Sequence, residues 1–191
     1  MICTARCRRS IGALAFSLLW VLAGGATVEP HLMPTPVIFK DERLDFAPAL
    51  PAGLRSTRLS VFYATTRAPA GEGQPGHYIN DAGDGMTLGV AAVRLGAPGW
   101  TWEDLVASNR TSTVEQARPG AVERVANFGK AREDGELGDA ERRYMAAIDA
   151  QLARANNKEL VLYVHRYRVT FDEVSVQMGS FAHFLGHGWA G

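Results

Sequence analysis

Leu160-Val161-Leu162-Tyr163-Val164 is an unbroken apolar run of five residues. It shows neither the alternation of a half-buried strand nor the spacing of an amphipathic helix. Such a run predicts a strand covered on both faces, as in a parallel sheet flanked by helices. The next segment supplies one covering layer. Thr170-Phe171-Asp172-Glu173 reads as a capping box, with Thr170 accepting from the Glu173 amide and Glu173 reaching back. Val174, Met178, Phe181 and Leu185 then form a helical stripe that Gly186 ends. A covered strand beside a helix points to an α/β fold.

Upstream, Arg58 to Ala64 alternates, with Leu59, Val61 and Tyr63 on one face and Ser60, Phe62 and Ala64 on the other. Thr65-Thr66-Arg67 closes this strand. Ala68 to Gly85 holds five glycines and two prolines and reads as a loop. Met86 to Leu95 is a second strand, so an antiparallel hairpin is expected. Thr101 is placed to cap a short helix through Trp102, Leu105 and Val106. From Ser108 to Gly138 the pattern is weak and polar and assigns no element. Asp139 is placed to cap a helix with Tyr144, Ile148 and Leu152 on one face, ended by Asn156-Asn157.

Residues 1–26 have the layout of a secretory signal peptide. Arg6, Arg8 and Arg9 precede an apolar run from Ile11 to Leu22, and small residues at Ala23-Gly24-Gly25-Ala26 suit cleavage. The apolar run of twelve is short for a spanning helix. Export is therefore expected, with an uncleaved membrane anchor as the alternative and no stable insertion after cleavage. Gly25 stands where a lipoprotein signal needs Cys. Both cysteines, Cys3 and Cys7, precede the expected cut, so the remaining chain has no thiol or disulfide. Residues 27–57 form a lead-in with five prolines, and Met33 to Phe39 is apolar enough to lie against the domain at 58–191. Twenty basic and twenty acidic side chains give no net charge, which removes the electrostatic footprint of a nucleic-acid-binding protein.

Val61-Phe62-Tyr63-Ala64-Thr65-Thr66-Arg67 with Leu88-Gly89-Val90-Ala91, and Lys158 to Phe171 with the helix after it, carry a resemblance. Together they resemble the N-terminal portion of an exported esterase/lipase-like α/β-hydrolase family, long catalogued as a domain of unknown function. The resemblance implies that Val161 to Phe171 is the strand and loop that help form an oxyanion hole. Its candidate residues are His165, Arg166 and Tyr167, with Arg166 where the family has Gly. The Tyr167 amide would face the oxyanion, a donor worth about 3 kcal/mol in a working site. A side chain at a position needing positive φ costs roughly 1 kcal/mol. The family's strand lies between two strands that come later in the chain, and the hairpin pairs with one of them. The resemblance thus implies an N-terminal fragment of the fold: the hairpin, one parallel-type strand and flanking helices.

No Gly-x-Ser-x-Gly elbow occurs in the sequence, so no catalytic serine is identified. Ser180 reads as a small helix residue packed near the sheet. His183 and His187 are four apart, but Gly186 breaks the helix between them and no third ligand is near; His183 reads as a partly exposed helix end. Glu133, Asp134, Glu136 and Asp139 lack the frame of a calcium loop and read as solvated. The sequon at Asn109 reads as a chance tripeptide, and Trp100 and Trp102 as packing residues. No metal site and no cofactor are expected. The expected function is that of a truncated hydrolase, inactive alone, with a small ester-like ligand in a full-length form. The alternative is an exported, non-catalytic binding or accessory protein on the same scaffold.

Overall fold

The structure, a computed structural model, describes residues 29–40, 50–111, 117–155, 157–165 and 168–186. The expected signal peptide lies outside the described residues.

Three strands form an antiparallel sheet in the order β1-β2-β3: β1 (Arg58–Pro69), β2 (Tyr78–Leu95) and β3 (Gly120–Lys130). The expected hairpin is present and longer than its alternating core. Pairing runs from Arg58↔Arg94 to Pro69↔Tyr78, with register shifts after Thr65 and after Arg67. The segment read as a loop from Ala68 to Gly85 is therefore strand in its second half. Its glycines are accommodated because bulged pairing tolerates irregular backbone.

The third strand falls inside the stretch to which the sequence assigned no element. Gly120 to Lys130 carries Glu123, Arg124 and Asn127, yet β3 pairs with β2 along its length. Its polar residues work across strands. Glu123 receives Arg58 Nε at 2.8 Å and Arg94 Nε at 3.2 Å, tying all three strands together.

Helices cover both faces of the sheet. α4 (Phe171–Phe184) lies on the face of Val61, Tyr63, Val93 and Leu95. Its start is the expected capping box: Thr170 Oγ1 accepts from the Glu173 amide at 3.2 Å, and Glu173 accepts from the Thr170 amide at 2.6 Å. Gly179 lets this helix approach closely; a Cβ there would sit 3.0 Å from Val93 Cγ1. α3 (Asp139–Arg154) lies on the other face, where Tyr144 meets Phe62 and Phe128 edge-on at 5.8 and 5.9 Å. Gly138, not Asp139, is its N-cap; Asp139 sits inside the first turn and pairs with Arg142. α2 (Trp102–Thr111) starts as expected, with Thr101 Oγ1 accepting from the Asp104 amide at 3.2 Å. The lead-in also docks. Leu32 is buried, and Phe39 of the short helix α1 (Val37–Lys40) stacks on Phe184 at 5.3 Å.

The sheet contains no parallel strand among the described residues, which corrects the expected parallel-type strand at 160–164. From Val161 to His165 the backbone is in neither helix nor strand. Leu162 and Val164 are 83% and 81% exposed. An apolar run can be buried on both faces only if strands pair along it; here Leu160 alone sits in a β-bridge, and Val161–Val164 belong to no described strand. No helix among the described residues is long and apolar enough to cross a membrane.

Candidate functional site

The site follows from how the layers end. Beside β1 the sheet stops, but the helices continue past it. α3 contributes Tyr144 and Ile148 on one side, and α4 contributes Val174 and Met178 on the other. The extended segment Leu160 to His165 closes the far wall. The result is a largely apolar cleft of about 320 Å³ whose floor is the outer edge of β1 from Val61 to Arg67. Among the described residues, β1 pairs only with β2.

His165 lines this cleft and is exposed. Arg166 and Tyr167, the other two oxyanion-loop candidates, lie outside the described residues. Among the described residues of this loop, Arg168 has a positive φ of 65°, one of the conformations that disfavour a side chain. Arg67 anchors the loop end: its guanidinium donates to the Val169 carbonyl at 2.6 Å and also to Asn80 Oδ1.

Neither serine of the inner face of α4, Ser175 or Ser180, is set up for nucleophilic attack. Ser180 is buried as expected; it donates to the Val176 carbonyl at 2.9 Å and accepts from the Met33 amide at 3.2 Å. Ser175 borders the cleft, but its hydroxyl donates to the Phe171 carbonyl at 2.9 Å. A nucleophilic serine gives its proton to a base, and both protons here are committed to helix carbonyls.

An Asp–His pair that sequence reasoning missed does form. Asp172 in the first turn of α4 accepts from His77 Nδ1 at 3.1 Å and from the His77 amide at 3.3 Å. The partners are 95 positions apart, so only the fold brings them together. Among the described residues no hydroxyl hydrogen-bonds His77, so the pair does not extend to a triad. It fastens the β1–β2 turn to the helix start.

A second polar cluster lies beneath α2. Arg118 is 6% exposed and Asn109 4% exposed. Arg118 donates to Asn109 Oδ1 at 2.6 Å and to the Met33 carbonyl, and lies over the Phe184 ring at 5.8 Å. Among the described residues no carboxylate pairs with it. Burial pushes its guanidinium down to about 10, which still leaves it charged at neutral pH. Because Asn109 Oδ1 faces Arg118, its Nδ2 donates to His183 Nε2 at 3.0 Å. His183 is therefore a buried acceptor, 1% exposed, and not the partly exposed helix end that its position suggested. His187 lies outside the described residues, and no group of three metal-ligating side chains occurs among the described ones. The sequon at Asn109 has its amide enclosed and hydrogen-bonded.

Tyr63 and Tyr78 form a third cluster against Phe171. Their hydroxyls lie 3.1 Å apart and both donate to Asn127 Oδ1, Tyr78 at 2.9 Å. Burial, reinforced by the Tyr78 contact, raises the Tyr63 phenol well above its ordinary range. Glu133, Asp134 and Glu136 are exposed, as expected of a solvated loop, and Asp139 is exposed in the first turn of α3.

Comparison with family models, with curated proteins and with solved structures gives no match.

Proposed function

We propose that this chain supplies scaffold of an esterase/lipase-like α/β-hydrolase and does not hydrolyse esters by itself. The observation that carries this reading is the cleft beside β1. It is flanked by helices on both sides, as a position for a further strand would be, and His165 of the candidate oxyanion loop borders it. Acyl transfer needs a hydroxyl beside a base that is itself oriented by an acid. Ser175 and Ser180 donate elsewhere, and among the described residues no hydroxyl hydrogen-bonds the Asp172–His77 pair. By the family resemblance, Arg166 in place of a glycine would weaken an oxyanion turn further. Export rests on the layout of residues 1–26.

The test is to incubate the full chain with p-nitrophenyl acetate and butyrate and, separately, with a fluorophosphonate probe. Hydrolysis at the buffer rate and no labelled serine are expected. A labelled serine whose replacement by Ala abolishes turnover overturns the reading.

The cleft favours a second reading, a non-catalytic binding or accessory protein. Its volume of about 320 Å³ falls at the lower end of small-molecule sites, and its lining is apolar with a few polar groups. A small ester-like ligand fits that chemistry. Calorimetric titration with a non-hydrolysable ester analogue tests it; heat of binding that Ala64→Arg removes, at an exposed position lining the cleft, supports it, and no heat with the intact chain excludes it.

A further inference from the structure

We infer that the chain pairs with a second copy of itself, the Leu160–Val164 segment of each entering the cleft beside β1 of the other. Three observations meet here. First, β1 has no described partner on its outer edge, and an unpaired edge is a template for another strand. Second, α3 and α4 line the cleft from opposite sides of the sheet, so a strand laid against β1 is covered on both faces. Such a strand must be apolar at every position, not at alternate ones. Third, the chain itself carries a segment of that kind. Leu162, Tyr163 and Val164 are exposed, from 42% to 83%, and no backbone hydrogen bond among the described residues joins Val161–Val164 to β1; Leu160, 53% exposed, sits in a single β-bridge at the start of the segment.

Donor and acceptor lie on the same side of the molecule, which is the condition for an isologous two-fold interface. The geometry closes. Each segment is the far wall of its own cleft and the occupant of the other, so the strand order across the axis is β1, second segment, first segment, second β1. The two segments pair with one another at the axis and each with one β1. The two sheets become one, and the exposed apolar segments are covered. The formal net charge of zero sets no overall repulsion against this association. The inference does not depend on hydrolase ancestry, since an active chain could form this dimer and an inert one could remain single.

Light scattering on the full chain under reducing conditions, over a dilution series, reads the stoichiometry; hydrogen exchange on the same samples reads the β1 edge. Twice the chain mass is expected at high concentration, with slow exchange at Val61–Thr65 that becomes fast on dilution. The double variant L162K/V164K should be single at all concentrations, with the helical circular dichroism retained. The double variant V37K/L137K, altered at two apolar positions that are 70% and 64% exposed elsewhere, should still pair. A single chain throughout the series overturns the inference, as does a pair that survives L162K/V164K. A single chain with a protected β1 edge also overturns it, because a foreign strand or small amphiphile then holds the cleft. The dilution dependence of exchange in the unaltered chain decides the matter even if the charged variant misfolds.

Discussion

At the scale of the residue, the least replaceable polar group is the Asn109 carboxamide. It satisfies a buried guanidinium through its oxygen and a buried imidazole through its nitrogen. Removing it leaves both groups desolvated without that partner, which costs far more than an ordinary hydrogen bond contributes. Asn109→Ala should lower unfolding stability by about 3 kcal/mol, read as a reduced urea midpoint at unchanged slope. A loss under about half a kcal/mol would show that water replaces the carboxamide. Gly89 is constrained by space, not by backbone conformation. A Cβ there would overlap the Tyr63 phenol and sit 2.7 Å from the Ala126 carbonyl. Gly89→Ala should cost about 1 to 3 kcal/mol by overpacking, and should perturb the near-ultraviolet signal of Tyr63 and Tyr78 because it displaces their shared contact with Asn127.

At the scale of the element, α4 is the best specified by local sequence. Its cap bonds form within four consecutive residues, and the side chain of Thr170 satisfies a backbone donor that the helix cannot. Thr170→Ala should therefore cost about 1 kcal/mol, read by thermal or urea unfolding, while Thr170→Ser should restore most of it. Capping boxes and alternation were legible in the sequence because both are local: α4, the start of α2 and the paired core of β1 and β2 follow from neighbouring residues. β3 was not legible. Its stabilisation comes from Glu123 bridging Arg58 and Arg94 and from backbone pairing with β2, both of which require distant chain. The same limit hid the Asp172–His77 pair and the buried state of His183, whose acceptor role depends on Asn109 and Arg118. Leu160–Val164 shows the opposite case. Its composition specifies coverage on two faces, but the covering strands are not among the described elements, so composition predicted burial where the structure has exposure. Of the oxyanion-loop candidates that the resemblance named, His165 borders the cleft; the cleft itself was not legible, because it arises where two helices overrun a sheet edge.

At the scale of the whole molecule, charge pairing sets the response to acid. Hydrogen bonds from Lys130, Arg58, Arg132 and Arg142 hold the carboxyls of Asp84, Glu123, Asp134 and Asp139 below their ordinary values of 3.8 for Asp and 4.5 for Glu. A carboxyl lowered in the folded state binds fewer protons there than in the unfolded chain. Its contribution is complete above the unfolded value and is lost as pH falls through the folded one. The contribution of these four carboxyls should thus be constant from neutrality down to about pH 5 and decline below that. These pairs are mostly solvent-exposed, so the decline should be shallow and should flatten further in high salt.

Self-association predicts a different signature, one that acid and salt do not produce. If each copy's Leu160–Val164 segment is covered only in the dimer, folding and pairing are linked by mass action. The unfolding temperature of the full chain should then rise with protein concentration, and that of L162K/V164K should not. Dye that reports exposed apolar surface should bind more per chain on dilution, because dissociation uncovers Leu162, Tyr163 and Val164. In L162K/V164K the dye signal should be independent of concentration. An unfolding temperature unchanged with dilution in the unaltered chain, together with constant dye binding, would mean that the apolar segment stays uncovered at every concentration. The open β1 edge would then be a standing liability to aggregation and not an interface.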